Sequence, residues 1–76
     1  VRVSRDRSGR GGKTVTTVSG LSGTLEVMED FSRILRKAMG SGGTLKEGRI
    51  EVQGDHVDRV LEWLLAKGIK AKRSGG

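Results

Sequence analysis

The stretch Arg7–Gly20, RSGRGGKTVTTVSG, decides how the rest of the chain is read. Its centre, Gly11-Gly12-Lys13-Thr14, has the outline of a phosphate-binding loop. The motif G-x-x-x-x-G-K-[ST] requires a glycine five residues before Gly12, where Arg7 stands. It also requires a helix directly after the lysine, whose free N–H groups hold the phosphates. Instead Thr14-Val15-Thr16-Thr17-Val18 follows, an unbroken β-branched run whose stiff side chains favour a strand. A nucleotide pocket is therefore excluded. Upstream, Val1 to Ser4 alternates apolar and polar at the strand period. The two strands predict a β-hairpin with a flexible basic tip over residues 7–13. Gly11 and Gly12 there supply positive φ at little cost, and Arg7, Arg10 and Lys13 supply charge.

Outward from the hairpin, Gly20-Leu21-Ser22-Gly23 reads as a turn and Thr24 as the N-cap of a helix running to Met39. Leu25, Met28, Phe31, Leu35 and Ala38 form its expected apolar stripe. Acids lie early and Arg33, Arg36 and Lys37 late, as the helix dipole prefers, and Glu29 is placed to pair with Arg33. GSGGT at residues 40–44 stops the helix. A second hairpin then spans Leu45–Val52, turning at Glu47-Gly48 with Ile50 and Val52 inward. After Gly54, Asp55 is the expected N-cap of a second helix with Val57, Val60, Leu61 and Leu64 buried, Leu65 at the border, and Gly68 at its end. Ile69 and Ala71 alternate with Lys70 and Lys72 in a last strand, before a flexible tail at 74–76. The fold class is α+β: one two-layer α/β sandwich over residues 1–76, order β-β-α-β-β-α-β, with both helices on one face of a single sheet.

Composition limits the function. A chain of 76 residues makes one small core. With no cysteine and one histidine, neither a disulfide framework, a thiolate zinc site nor a histidine-rich metal cluster is available, and no cofactor is expected. No apolar run reaches the ~20 residues of a membrane span, and no signal peptide is visible. A cysteine-free chain fits a reducing cytoplasm. Val1 in place of an initiator methionine fits a processed or trimmed chain. The net charge of +6 is unevenly distributed. Bases gather in residues 1–13, at Arg33–Lys37 and at Lys70–Arg73, whereas acids prevail between Lys46 and Glu62. One positive surface for a polyanion follows from that distribution.

Catalysis finds no support, since a lone histidine and no thiol leave no nucleophile–base set. His56, in the first turn of the second helix, is expected to be exposed and without a partner. Trp63 is expected to cap the edge of the core with its ring partly exposed. The ending Arg-Ser-Gly-Gly invites comparison with ubiquitin, but a ubiquitin-like fold is built around one principal helix and this chain predicts two.

Three motifs then stand in order: GKTVTTVSGL, GSGGTLKEGRIEVQGDH after the first helix, and AKGIKAKRSGG after the second. Together they resemble the family of eukaryotic translation initiation factor 1, also called the suppressor-of-initiation-codon family, and look most like its bacterial, YciH-type branch. The resemblance covers nearly the whole chain. It implies an α/β-plait sandwich that binds the small ribosomal subunit on the platform beside the P site, near initiator tRNA and mRNA, and promotes start-codon fidelity. By the same resemblance the ribosomal RNA contacts are Arg7, Arg10, Gly11, Gly12 and Lys13 in the loop and Arg33, Arg36 and Lys37 on the helix, with Lys46 a further candidate. Val57 stands where the family often has arginine, which removes one basic contact. A general RNA-binding or stress-related translation modulator on the same fold is the alternative, and a monomer is expected.

Overall fold

A computed structural model describes residues 1–7 and 13–74 of the chain. The elements are β1 (Arg2–Arg7), β2 (Thr14–Ser19), α1 (Leu25–Met39), β3 (Gly43–Lys46), β4 (Arg49–Gln53), α2 (Val57–Ala66) and β5 (Lys72–Arg73). Their order is the expected β-β-α-β-β-α-β. They form one sheet in the order β3-β4-β2-β1-β5, with β1 and β5 parallel and the other neighbours antiparallel. The β-branched run became β2, the middle strand. Its Val18 pairs with Val3 on one side and Ile50 on the other, and all three are fully buried. α1 packs on β3 and α2 on β1, and the helices touch each other. The core is the layer between: Val3, Val18, Ile50 and Val52 from the sheet, Leu35 and Met39 from α1, and Val57, Val60 and Leu64 from α2. Each such side chain, fully withdrawn from water, contributes about 1.5–3 kcal/mol.

The helix ends follow the sequence closely. The Thr24 hydroxyl accepts from Val27 N–H at 3.2 Å, the expected N-cap. Both helices end in a glycine with left-handed φ, Gly40 at 67° and Gly68 at 79°. In each case two reversed bonds satisfy the last carbonyls. Ser41 and Gly40 donate to Arg36 and Lys37, and Ile69 and Gly68 donate to Leu64 and Leu65. The second hairpin turns where expected, with Glu47 at φ 51° and Gly48 at φ 75°. Two consecutive left-handed residues match the right-handed twist of the flanking strands.

Some expectations are corrected. The stripe α1 buries is Met28, Ser32, Leu35 and Met39; Phe31 lies at its border, whereas Ala38 is exposed and Leu25 is 70% exposed. A helix set over the edge strand is covered along a narrow line, and the flanking apolar residues stay in water. Arg33 pairs with Asp30 at 2.8 Å and not with Glu29. The residue preceding α2 is His56, without a side-chain cap, so Asp55 stands one place earlier. Its carboxylate pairs with Arg5 instead. In α2, Leu61 is partly buried and Leu65 is 57% exposed. The last strand is short, Lys72–Arg73, with Ile69 and Ala71 packed against the core before it begins.

Candidate nucleic-acid interface

Register decides which charged residues meet. Across the sheet the rows run Arg7 with Thr14; Asp6, Val15 and Gln53; Arg5, Thr16, Val52 and Gly43; Ser4, Thr17, Glu51 and Thr44; and Val3, Val18, Ile50 and Leu45. The first row adjoins the connection between β1 and β2, where Arg7 and Lys13 are both exposed. α1 starts beyond Ser19, at the opposite end, and runs back so that its last turn precedes Gly43. Lys37, exposed in that turn, therefore lies at the same end of the sheet as Arg7 and Lys13. Arg10, Gly11 and Gly12 lie outside the described residues.

A polar network ties this end together. Gly54 N–H donates to Thr14 O at 2.9 Å. The fully buried Thr16 donates its hydroxyl to Gly54 O and accepts from His56 N–H, both at 2.8 Å. His56 is half-buried, with Nε2 2.9 Å from Ser41 Oγ in the loop after α1. Its expected exposure and lack of a partner are thus corrected. The neighbouring glycine is the signal that could have found it: Gly54 has φ 99°, and a Cβ there would sit 2.8 Å from His56 Nε2, so the ring packs where a side chain would be. On the outer side, Arg5 Nη1 contacts Asp55 Oδ2 at 3.0 Å. That hydrogen bond, helped by Val57 N–H and the charge of Arg73, holds the Asp55 carboxyl below the ordinary carboxylate range. Hairpin base, α2 start and α1 exit are thereby joined.

The other sequence candidates are placed differently. Arg33 is exposed and paired with Asp30. Arg36 is half-buried, with Nε donating to Ser32 O at 3.3 Å and Nη1 to Gly43 O at 3.0 Å, so it serves the α1–β3 contact. Lys46 pairs with Arg49 at the far end of the sheet. It lies at the level of Arg2, five residue steps from Arg7, which is about 17 Å along the strands. Trp63 is half-buried, its ring edge-on to Phe31 at 5.5 Å with Lys67 Nζ above it at 4.7 Å, as a core-edge residue should be. Among the described residues there is no grouping of three or more His, Asp or Glu able to hold a metal, and no helix is long and apolar enough to cross a membrane.

Comparison with known proteins agrees with the residues. The family profile "Translation initiation factor SUI1" matches residues 1–70. An uncharacterized protein of Synechocystis sp. is 50% identical over 76 residues, covering all of this chain and 68% of that protein. The protein YciH of Salmonella typhimurium is 42% identical over 76 residues, again all of this chain and 70% of the relative. A protein translation factor SUI1 homolog of Sulfurisphaera tokodaii is 44% identical over 59 residues, 78% of this chain and 59% of the relative. The profile spans β1 to β4 and both helices, and the chain belongs to the SUI1 family of translation initiation factors, which are not enzymes.

Proposed function

We propose that the protein binds the small ribosomal subunit near the P site, in the cytoplasm and as a monomer, and promotes correct pairing of initiator tRNA with the start codon. The supporting observation is the grouping of exposed Arg7, Lys13 and Lys37 around one hydrogen-bonded end of the sheet. Arg10 belongs to the same hairpin in sequence. Cations held on a fixed frame gain affinity for phosphates by counterion release, with little sequence information. Such contacts let a factor bind rapidly and leave, which suits a protein that must yield its place when the correct tRNA settles. Arg36, occupied within the fold, is assigned to architecture, and Lys46 to a different part of the surface.

The test is co-sedimentation with purified small subunits over a salt series, comparing the native chain with a Lys13→Ala/Lys37→Ala variant. Saturable binding near one copy per subunit, weaker in the variant and with a shallower salt slope, supports the proposal. Equal binding by both proteins, or no preference for the subunit over transfer RNA, overturns it.

A further inference from the structure

The face of the sheet turned away from the helices carries its own pattern of charge. Val3, Val18, Ile50 and Leu45 point to the core, so their chain neighbours Arg2, Ser19, Arg49 and Lys46 point to the open face. Arg73 reaches Asp58 on α2 at 3.4 Å, which turns Lys72 to the open face as well. Register then lines these residues up. Lys72 is beside Arg2, Arg2 beside Ser19 and Arg49 beside Lys46, and one more step of the β2–β4 ladder sets Ser19 opposite Arg49. The result is one row across the five strands, Lys72–Arg2–Ser19–Arg49–Lys46, about 19 Å long at the usual strand spacing. Four of its members are exposed cations and none is an acid. Among the described residues Arg2, Lys46 and Lys72 make no ion pair, and that of Arg49 with Glu47 is long, 3.7 Å, and exposed. Beside Arg2 and Lys72 lies a hollow of about 400 Å³, lined by these two, Lys70, Val1, Leu65 and Ala71, with no carboxylate.

We propose that this row binds the sugar–phosphate backbone of a single-stranded nucleic acid, laid across the strands at the end of the sheet opposite the β1–β2 connection. A protein partner anchors through buried apolar or aromatic side chains. Among the described residues the open face offers one apolar side chain, Val15, two rows away beside Asp6 and Gln53. Phe31 and Trp63, the aromatic residues of the chain, both lie on helices, so bases find no stacking platform and the contact carries little sequence preference. Affinity then comes from counterion release by phosphates. The acids set the strandedness. Glu51 stands one row in, between Thr17 and Thr44, and Asp6 two rows in, accepting from Thr17 Oγ1 at 2.9 Å. A single strand follows the cationic row, whereas a second backbone laid over this face meets those carboxylates. The inference is independent of subunit binding, which is assigned to the opposite end of the sheet.

The experiment is fluorescence anisotropy of the whole chain with a labelled oligouridylate about twelve nucleotides long, over a salt series. Two variants remove equal charge: Arg2→Ala/Arg49→Ala from the row, and Lys13→Ala/Lys37→Ala from the other end. Four phosphate contacts give a single strand a salt slope of about −3. The first variant should make that slope shallower by about 1.4 and weaken binding about tenfold, while the second weakens it by less than about twofold. Arg2→Lys/Arg49→Lys should restore binding, and amide NMR shifts should centre on Arg2, Ser19, Lys46 and Arg49. Equal weakening by the two alanine variants overturns the proposal, because net charge then accounts for binding. It is equally overturned if these amides do not shift, or if oligoglutamate or anionic vesicles occupy the row as tightly as the oligouridylate. Co-sedimentation of Arg2→Ala/Arg49→Ala with small subunits should match the native chain, so the two readings fail separately.

Discussion

Thr16 and His56, 40 positions apart in sequence, are joined by one short bond: the His56 backbone N–H donates to Thr16 Oγ1 at 2.8 Å. The same hydroxyl donates to Gly54 O, so a single buried side chain satisfies both backbone groups of the turn into α2. Thr16→Val keeps the volume and loses both bonds, leaving a donor and an acceptor unmet, and should destabilise the fold by about 2 kcal/mol. Thr16→Ser keeps the hydroxyl and should cost about 0.8 kcal/mol, the worth of one methyl group. Urea denaturation of the pair measures the difference.

Gly54 is required twice over, by its φ of 99° and by the His56 ring occupying the Cβ position. Gly54→Ala should therefore cost more than about 1 kcal/mol. In a His56→Ala background the steric part disappears and only the backbone part remains. A double-mutant cycle that finds the two substitutions additive would refute the packing account.

Glu47 holds a left-handed φ of 51° at the first turn position of the second hairpin, and its ion pair with Arg49 is long, 3.7 Å, and exposed. Glu47→Asn should stabilise the protein by about 0.5–1 kcal/mol, since asparagine tolerates this region and the lost pair is worth little. Thermal unfolding checks the sign.

Asp55 has a depressed pKa, caused first by the hydrogen bond from Arg5. Its contribution is therefore present above the unfolded carboxylate pKa of about 4 and is lost as pH falls from there through the lower folded value. Asp55→Asn should flatten the stability curve in that acid window and leave the slope between pH 6 and 8, on the order of neutral, unchanged. Denaturation midpoints over pH 2–7, roughly the carboxylate range, decide it.

Lys13 and Lys46 separate location from charge. Each carries one exposed cation, at opposite ends of the sheet. Lys13→Ala should lower the salt slope of small-subunit binding by about 1, while Lys46→Ala leaves it unaltered. Equal effects would mean that net charge alone governs binding.

Much of this architecture was legible because its signals are local. Five β-branched residues from Thr14 to Val18 specify a strand, Thr24 and Gly40 bracket a helix, and Glu47-Gly48 sits between two short strands. The phase of α1 was harder. Its apolar residues make two overlapping stripes, and the sheet covers the one containing Ser32, because the helix lies over an edge strand and not over the sheet's centre. The site was legible as a list of cations and less so as a place. Lys13 and Lys37 are brought to one end by the direction in which α1 returns, and Lys46 is carried to the other by a hairpin. His56 was expected to be exposed and unpartnered because its partners, Thr16 and Ser41, are near it only after folding.

The pairing of β5 with β1 bears on how the molecule is made. Lys72 N–H reaches Val1 O at 2.9 Å, and Ser74 N–H reaches Val3 O at 2.8 Å. The outer border of β1 is thus closed by residues that follow it in the chain only after both helices and all the other strands. Throughout translation of this segment that border stays open to wrong neighbours, and a row of arginines, Arg2, Arg5 and Arg7, repels a like nascent chain. Completion of the sheet waits on the emergence of residues 72–74, so a pause or truncation shortly before them would release a four-stranded intermediate among the described elements, with its β1 border bare.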